Sequence, residues 1–354
     1  MERNGPAPLA ALFDAKAGDP APHAGVAAVV GRTNAGKSTL VNRLVGEKVS
    51  AVGPVSQLTR SVVRGVVTEG RGQIALLDTP GLHKSRSLLG TEMNKRARAA
   101  TGGADAVALV VDASREPQLE DEGWMRRLVR SETPVVVFLN KTDAGDKSAA
   151  FRALWDRACA EDEAREAAAA AAQAARDAAP AAEKPVPPWK RKGRARRAPA
   201  PLARPVWIRG SAKTGAGADA LLDALFAAMP PGPLLFDGDT ASDHPRRLAV
   251  ADVVREKLAA LLRDELPHEI AVQIDEIVER PGAPVDVRGT VLVRRAGQKG
   301  IVLGEKGRTL RAATRAAEKE LADFFGAPAR VSLWIRVEPD WNENFFLLRK
   351  LGYA

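Results

Sequence analysis

Along residues 26–208 the apolar positions come as short unbroken runs: Val26–Val30, Ile74–Leu77, Ala106–Val111, Val135–Leu139 and Val206–Ile208. Stretches with helical spacing separate them. Such uniformly apolar runs suit strands buried on both faces of a parallel sheet. A further run, Ser61–Thr68, meets Ile74–Leu77 through Glu69-Gly70-Arg71-Gly72, a hairpin spacing that adds one antiparallel strand. The expectation is an α/β domain over 25–229 with a mostly parallel six-stranded sheet. Past Arg247 the pattern changes. An amphipathic helix (Leu248–Leu262) precedes two runs alternating with period two, Glu269–Glu279 and Val285–Arg294. Helices at Gly297–Leu303 and Thr309–Phe325 and a strand at Arg330–Val337 follow, so a smaller α+β domain over 248–338 is predicted, ordered α-β-β-α-α-β.

The remaining segments read as connections. Residues 1–24, rich in Ala, Pro and Gly, predict a disordered leader. An Ala-, Pro- and Arg-rich insertion occupies 160–205, its first part, Glu161–Ala179, able to continue a helix. Pro230-Pro231-Gly232-Pro233 opens a linker over 230–247, and 339–354 form a C-terminal tail.

Composition changes this picture at three points. The single cysteine, Cys159, excludes a disulfide scaffold and a Cys/His zinc cluster. No stretch reaches the ~18 apolar residues of a membrane span, so a soluble, cytoplasmic protein is expected. The net charge of +9 is local: residues 184–209 carry nine Lys or Arg and no acid, and the rest of the chain is neutral. Global charge is therefore no argument for nucleic acid.

Chemistry concentrates at strand ends. Gly31-Arg32-Thr33-Asn34-Ala35-Gly36-Lys37-Ser38, followed by Thr39, stands between the first strand and a helical stretch. This is the P-loop pattern in its required context. Glycines let backbone N–H groups converge on phosphate at a helix N-terminus, Lys37 meets the β- and γ-phosphates, and Ser38 ligates Mg²⁺. Asn140-Lys141-Thr142-Asp143 ends another strand, where open α/β sheets bind ligands. The Asp143 carboxylate can accept from guanine N1–H and its exocyclic amine, a donor pair that adenine lacks. Asn140 is placed to address N7, and the Lys141 stem to cover the base. Ser211-Ala212-Lys213 supplies a backbone N–H for guanine O6. Asp78-Thr79-Pro80-Gly81 places Asp78 to hold Mg²⁺ through water and the Gly81 N–H to meet the γ-phosphate. Thr59 is the candidate to close over the metal when the γ-phosphate is present, a solvated loop threonine being the alternative.

Residues 31–38, 57–60, 78–81, 140–143 and 211–213 resemble the five motifs of translation-factor-class small GTPases. With Asp78–His83 and the C-terminal module they make the chain similar to the bacterial Era GTPase family from about Val26 to Tyr353. The resemblance implies GTP and GDP as ligands, Mg²⁺ as cofactor and a slow GTP hydrolysis, with Lys37, Thr59, Gly81 and Asn34 as the catalytic candidates. Leu82 stands where Ras-like enzymes carry a water-orienting glutamine, and leucine cannot orient water. Asn34 matches the position where related GTPases hold K⁺ beside the phosphates; an asparagine that only stabilises the loop is the alternative. His83 reads as a bystander rather than a base.

Gly304-Glu305-Lys306-Gly307 between two helices gives the second domain its resemblance to a type II KH module, which binds about four unstacked nucleotides. Eight basic and two acidic residues lie between Arg294 and Lys319. Lys299, Arg308 and Arg311, with the four loop residues, are the RNA-contact candidates. The family implies the 3′ end of 16S rRNA as substrate, the 30S subunit as partner, no DNA, a monomeric state and a peripheral contact with the inner membrane face. Two features depart from the family: Leu58-Thr59 replaces two adjacent threonines, and the 160–205 insertion is extra. That insertion is either an electrostatic tether to rRNA or without function. An ATPase or kinase is disfavoured by Asn140–Asp143, and a membrane-surface or scaffold GTPase is the alternative to the rRNA role.

Overall fold

A computed structural model describes residues 22–53, 55, 58–82, 87–178 and 202–354. The leader up to position 21, Gln57, His83 and the basic residues 184–197 lie outside the described residues. The first domain runs β1 (His23–Val30), α1 (Lys37–Val45), β2 (Val63–Glu69), β3 (Gly72–Asp78), α2 (Leu88–Ala99), β4 (Ala106–Asp112), α3 (Leu119–Leu128), β5 (Val135–Asn140), α4 (Ser148–Ala178), β6 (Val206–Arg209) and α5 (Ala218–Phe226). Its sheet is ordered β2-β3-β1-β4-β5-β6, with β2 antiparallel to β3 and the other pairs parallel. Two apolar clusters cover the two faces, one centred on Leu40, Leu76 and Phe138, the other on Leu109, Trp124 and Leu139. Burial on both sides is why these strands read as continuous apolar runs.

The second domain comprises α6 (Arg246–Leu261), β7 (Ile270–Val278), β8 (Val285–Val293), α7 (Ala296–Leu303), α8 (Arg308–Phe325), β9 (Ala329–Val337) and α9 (Phe345–Lys350). Its sheet is β7-β8-β9, antiparallel then parallel. The α-β-β-α-α-β order of the sequence holds.

Four boundaries differ from expectation. The first strand begins at His23, inside the predicted leader. Ala24 and Gly25 hide this because they are small for a packing reason: a Cβ on Gly25 would lie 2.6 Å from both Asp105 Oδ2 and Met229 Sδ. The insertion starts later than position 160, since α4 is continuous to Ala178 and buried Asp162 bonds Arg130 Nε at 2.6 Å. It is over by Ala203, whose N–H bonds Val129 O at 2.8 Å. The 230–247 segment is bound rather than free. Gln73 Oε1 accepts the Leu235 and Phe236 N–H groups at 2.8 Å, and Val66 N–H donates to Ala241 O, covering the β2 edge.

The fourth difference is the largest. Residues 339–354 are core, not tail. Trp341, Leu348, Leu351 and Tyr353 bury themselves with Ala271 and Leu292 of the second domain and Leu89 and Met93 of the first. The Trp341 indole N–H donates to Glu269 O at 3.0 Å. Among the described residues no helix is long and apolar enough to cross a membrane.

Candidate nucleotide site and RNA surface

The loop between β1 and α1 is shaped by backbone rather than side chains. Gly31 has φ 148° and a Cβ there would lie 2.2 Å from Val110 O; Gly36 has φ 100° and its Cβ would lie 2.2 Å from Asn140 Nδ2. Neither position tolerates a side chain. Asn34 is exposed and left-handed at φ 59°, while Ala35 is buried. Thr33 and Thr39 line the same cleft as Asn34 and Thr59. Lys37 is buried, and its ammonium donates to Gly31 O (3.1 Å) and Arg32 O (2.8 Å). Burial lowers it to about 8. A phosphate arriving at this lysine would favour the charged form further.

The other predicted residues assemble around this loop. The Thr59 hydroxyl lies 2.8 Å from that of Ser38. Asp78 is fully buried at the end of β3, and neither carboxylate oxygen has a hydrogen-bond partner among the described residues. Ser38 and Ser50 face it without completing a bond, and burial raises its pKa. Two hydroxyls beside an unpartnered buried carboxylate form an all-oxygen donor set that suits a hard divalent cation such as Mg²⁺. Thr79 is anchored by its hydroxyl to Val29 O at 2.9 Å, and Pro80 is buried. Gly81 passes so close to the phosphate loop that a Cβ would lie 2.5 Å from Thr33 N. Leu82 packs into the cluster with Ala28, Val30 and Ala97, and pairs as an isolated bridge with Arg32. Its position is an apolar anchor for the loop.

The Asn140–Asp143 segment turns out to hold the site together. Asn140 donates its amide to Ala35 O (2.7 Å) and accepts from the Ala212 N–H (2.8 Å). Both ends of that side chain are thus engaged inside the protein. Within the 211–213 segment expected to supply a backbone N–H for guanine O6, the Ala212 N–H is the one engaged with Asn140. Lys141, left-handed at φ 64°, reaches Asn34 O (2.7 Å). Thr142 Oγ1 bonds Gly210 O (3.0 Å), while Ser211 is buried and Asp143 and Lys213 are exposed.

Sequence reasoning missed Asp112. It closes the apolar run of β4, and its carboxylate takes Lys141 Nζ (2.8 Å) and Arg32 (3.3 Å); Arg32 also pairs with Asp121 (3.2 Å). Burial pushes Asp112 up, but hydrogen bonds from Lys141 and Ser114 leave it below the usual carboxylate range. An acid ending a buried strand was the available signal.

In the second domain the Gly304–Gly307 turn joins α7 to α8. Gly304 (φ 71°) has no room for a Cβ, which would lie 2.2 Å from Thr309 Oγ1, and Gly307 (φ 75°) is left-handed. Glu305, Lys306, Lys299, Arg308 and Arg311 are exposed. Arg308 pairs with Glu305 (2.6 Å), and Arg311 donates to Lys306 O. Arg294 is turned inward to Glu269 (3.1 Å) and Asp340 (3.2 Å), leaving the outer basic set smaller than the count suggests. Ile301 and Leu303 of α7 are exposed beside the turn, apolar surface against which a base could lie.

The family model described as "50S ribosome-binding GTPase" matches residues 26–141, and a KH domain model matches 265–342. GTPase Era of Lacticaseibacillus paracasei is 31% identical over 331 residues, covering 94% of this chain and 97% of that protein. The chain belongs to the Era GTPase family. GTPase Era of Geobacter metallireducens is 32% identical over 93% of this chain and 97% of its own length. Two solved Era structures, each with TM-score 0.76 and 31% identity, cover 94% of this chain and 99% of theirs. One is a single-residue variant of Aquifex aeolicus Era bound to GDP·AlF4⁻; the other is Era with MgGDPNP and nucleotides 1506–1542 of 16S ribosomal RNA. This Era-family chain is therefore a GTPase.

Asn140→Ala would free both the phosphate loop and the 211–213 loop. Two buried hydrogen bonds, each about 1–3 kcal/mol to leave unmade, predict GDP binding weaker by at least about tenfold. Fluorescent-GDP titration measures it, and an unchanged affinity would refute the tying role.

Proposed function

We propose that this chain is a GTP-driven switch that binds the 3′ end of 16S rRNA through the Gly304–Gly307 turn and assists assembly of the small ribosomal subunit. The observation that carries the switch is the 2.8 Å approach of the Thr59 hydroxyl, from a loop, to that of Ser38. Ser38 and Thr59 hold Mg²⁺, with Asp78 beside it. Mg²⁺ held there would supply positive charge against the phosphates. Lys37 grips the β- and γ-phosphates, the Gly81 N–H meets the γ-phosphate, and Asp143 reads guanine. The likeness to the RNA-bound Era structure supports the rRNA reading, as do the exposed Lys299, Lys306, Arg308 and Arg311. The chain works in the cytoplasm as a monomer.

RNA binding divides between two regions. Lys306→Asp with Gly307→Asp puts acid where the backbone approaches phosphate most closely, and should abolish preference for the cognate single strand. Deleting 184–205 should weaken all RNAs alike and flatten the salt dependence, because a basic tract releases counterions without reading bases. Cognate and scrambled RNA affinities across a salt series test both. Lost preference in the deletion, with preference intact in the acidic variant, would reverse the assignment.

Potassium is the second cation of this reading. Asn34 is exposed in the cleft, and Leu82 packs inward, so the residue at that position does not orient the attacking water. Hydrolysis is expected to run several-fold faster in K⁺ than in Na⁺, and Asn34→Ala to remove the difference. Equal rates in the two salts would discard the ion.

A peripheral membrane contact draws on one observation: Phe345 and Phe346 are 48% and 83% exposed on α9, next to exposed Arg349 and Lys350. Flotation with anionic vesicles should retain the parent chain and lose Phe345→Ser/Phe346→Ser. Equal flotation of both would remove these residues from the contact.

A further inference from the structure

The residues on either side of Thr59 are held by the second domain. Arg60 is only 2% exposed, and its guanidinium donates to Ile270 O (2.7 Å), His268 O (3.0 Å) and Pro267 O (3.3 Å) at the start of β7. It also lies over the rings of Trp341 (5.6 Å) and Tyr353 (5.5 Å). On the other side, Leu58 is buried and its carbonyl accepts from Arg255 of α6 at 2.5 Å. Arg255 is 1% exposed and is fixed in turn by Asp252, which also faces His244 at 3.3 Å.

These contacts are expensive, which makes them informative. A buried guanidinium costs several kcal/mol unless its N–H groups are matched. Arg60 meets three carbonyls and two ring faces, and no salt bridge to it is recorded among the described residues. Arg255 lies close enough to repel it, and burial with that repulsion lowers Arg60 to about 10. What the arrangement does fix is geometry. Residues 58–60 span at most roughly 7 Å between their outer Cα atoms. With both ends anchored in the second domain, the Thr59 hydroxyl has little freedom to leave Ser38.

We propose that Arg60 and Arg255 are positioning residues that hold Thr59 over the metal and γ-phosphate site, so that the second domain supplies the closed form of this loop. The inference rests on the Thr59 role above and adds its cause. It assigns no contact between either arginine and the nucleotide. Arg60 acts through Thr59, and Arg255 acts through the Leu58 carbonyl.

The test reads the triphosphate state against the diphosphate state. Thr59 matters only when a γ-phosphate is present, so Arg60→Ala should leave GDP affinity within about twofold. The same variant should lower kcat on the order of tenfold to a hundredfold, the cost of a displacement near 1 Å. It should also raise the Mg²⁺ concentration needed to bind a non-hydrolysable GTP analogue. Because both residues act through one group, Arg60→Ala in a Thr59→Ala background should add nothing. Arg60→Lys keeps the charge but cannot serve three carbonyls and two rings, so it should show the same pattern more weakly. A parental kcat in Arg60→Lys, or an equal loss with and without Thr59, overturns the inference. If Arg60→Ala loses GDP binding outright, the Arg60→Lys rate and its Thr59→Ala combination decide. A parental rate in Thr59→Ala alone would instead sink the Thr59 reading beneath it.

Discussion

A loop that offers its backbone to phosphate has to be held by something other than its own side chains. In this chain the loop at 31–38 is packed backbone against backbone: Gly31 under Val110 O, Gly36 against Asn140, and Gly81 against Thr33. Everything else in the first domain follows from that approach. The parallel strands bring β1, β3, β4 and β5 to one edge, and β4 and β5 end in groups that support the loop. Asp112 takes Lys141 and Arg32, and Asn140 takes Ala35 O and Ala212 N–H. These polar ends rest on a sheet whose interior is almost wholly apolar.

The same physical solution occurs twice for buried cations. Lys37 sits in a cage of Gly31 and Arg32 carbonyls, and Arg60 in a cage of Pro267, His268 and Ile270 carbonyls. In both cases burial lowers the group, to about 8 and about 10 respectively. Carbonyl dipoles stabilise a cation without adding a titrating partner. The first cage opens toward a phosphate cleft. The second is closed by two aromatic rings, which makes it a joint between domains.

How much of this was legible depends on the range of each interaction. The phosphate loop, Asp78–Gly81 and Asn140–Asp143 are contiguous, so their chemistry shows in the order of residues. The hairpin and the α-β-β-α-α-β order were equally local. Asp112 was missed because its partners Arg32 and Lys141 lie far away in the chain and share no spacing with it. The internal use of Asn140 was missed for the same reason. The role of 339–354 was hidden because a few apolar residues in a short segment do not tell what they pack against; their partners Leu89 and Met93 lie in the other domain. Gly25 shows the opposite difficulty. A close approach needed a residue with no side chain, and a small residue gives no hydrophobic signal.

The rings that cover Arg60 come 281 and 293 positions after it in the chain. Synthesis proceeds from the N-terminus at about 5–20 residues per second, and domains fold largely as they emerge. For some tens of seconds or less, a nascent chain therefore carries a phosphate loop whose Thr59 segment lacks its full clamp. The clamp is complete only once Trp341 and Tyr353 have left the ribosome. A folding order of this kind separates acquiring nucleotide from acquiring the closed loop, because every group that holds residues 58–60 is made long after the phosphate loop.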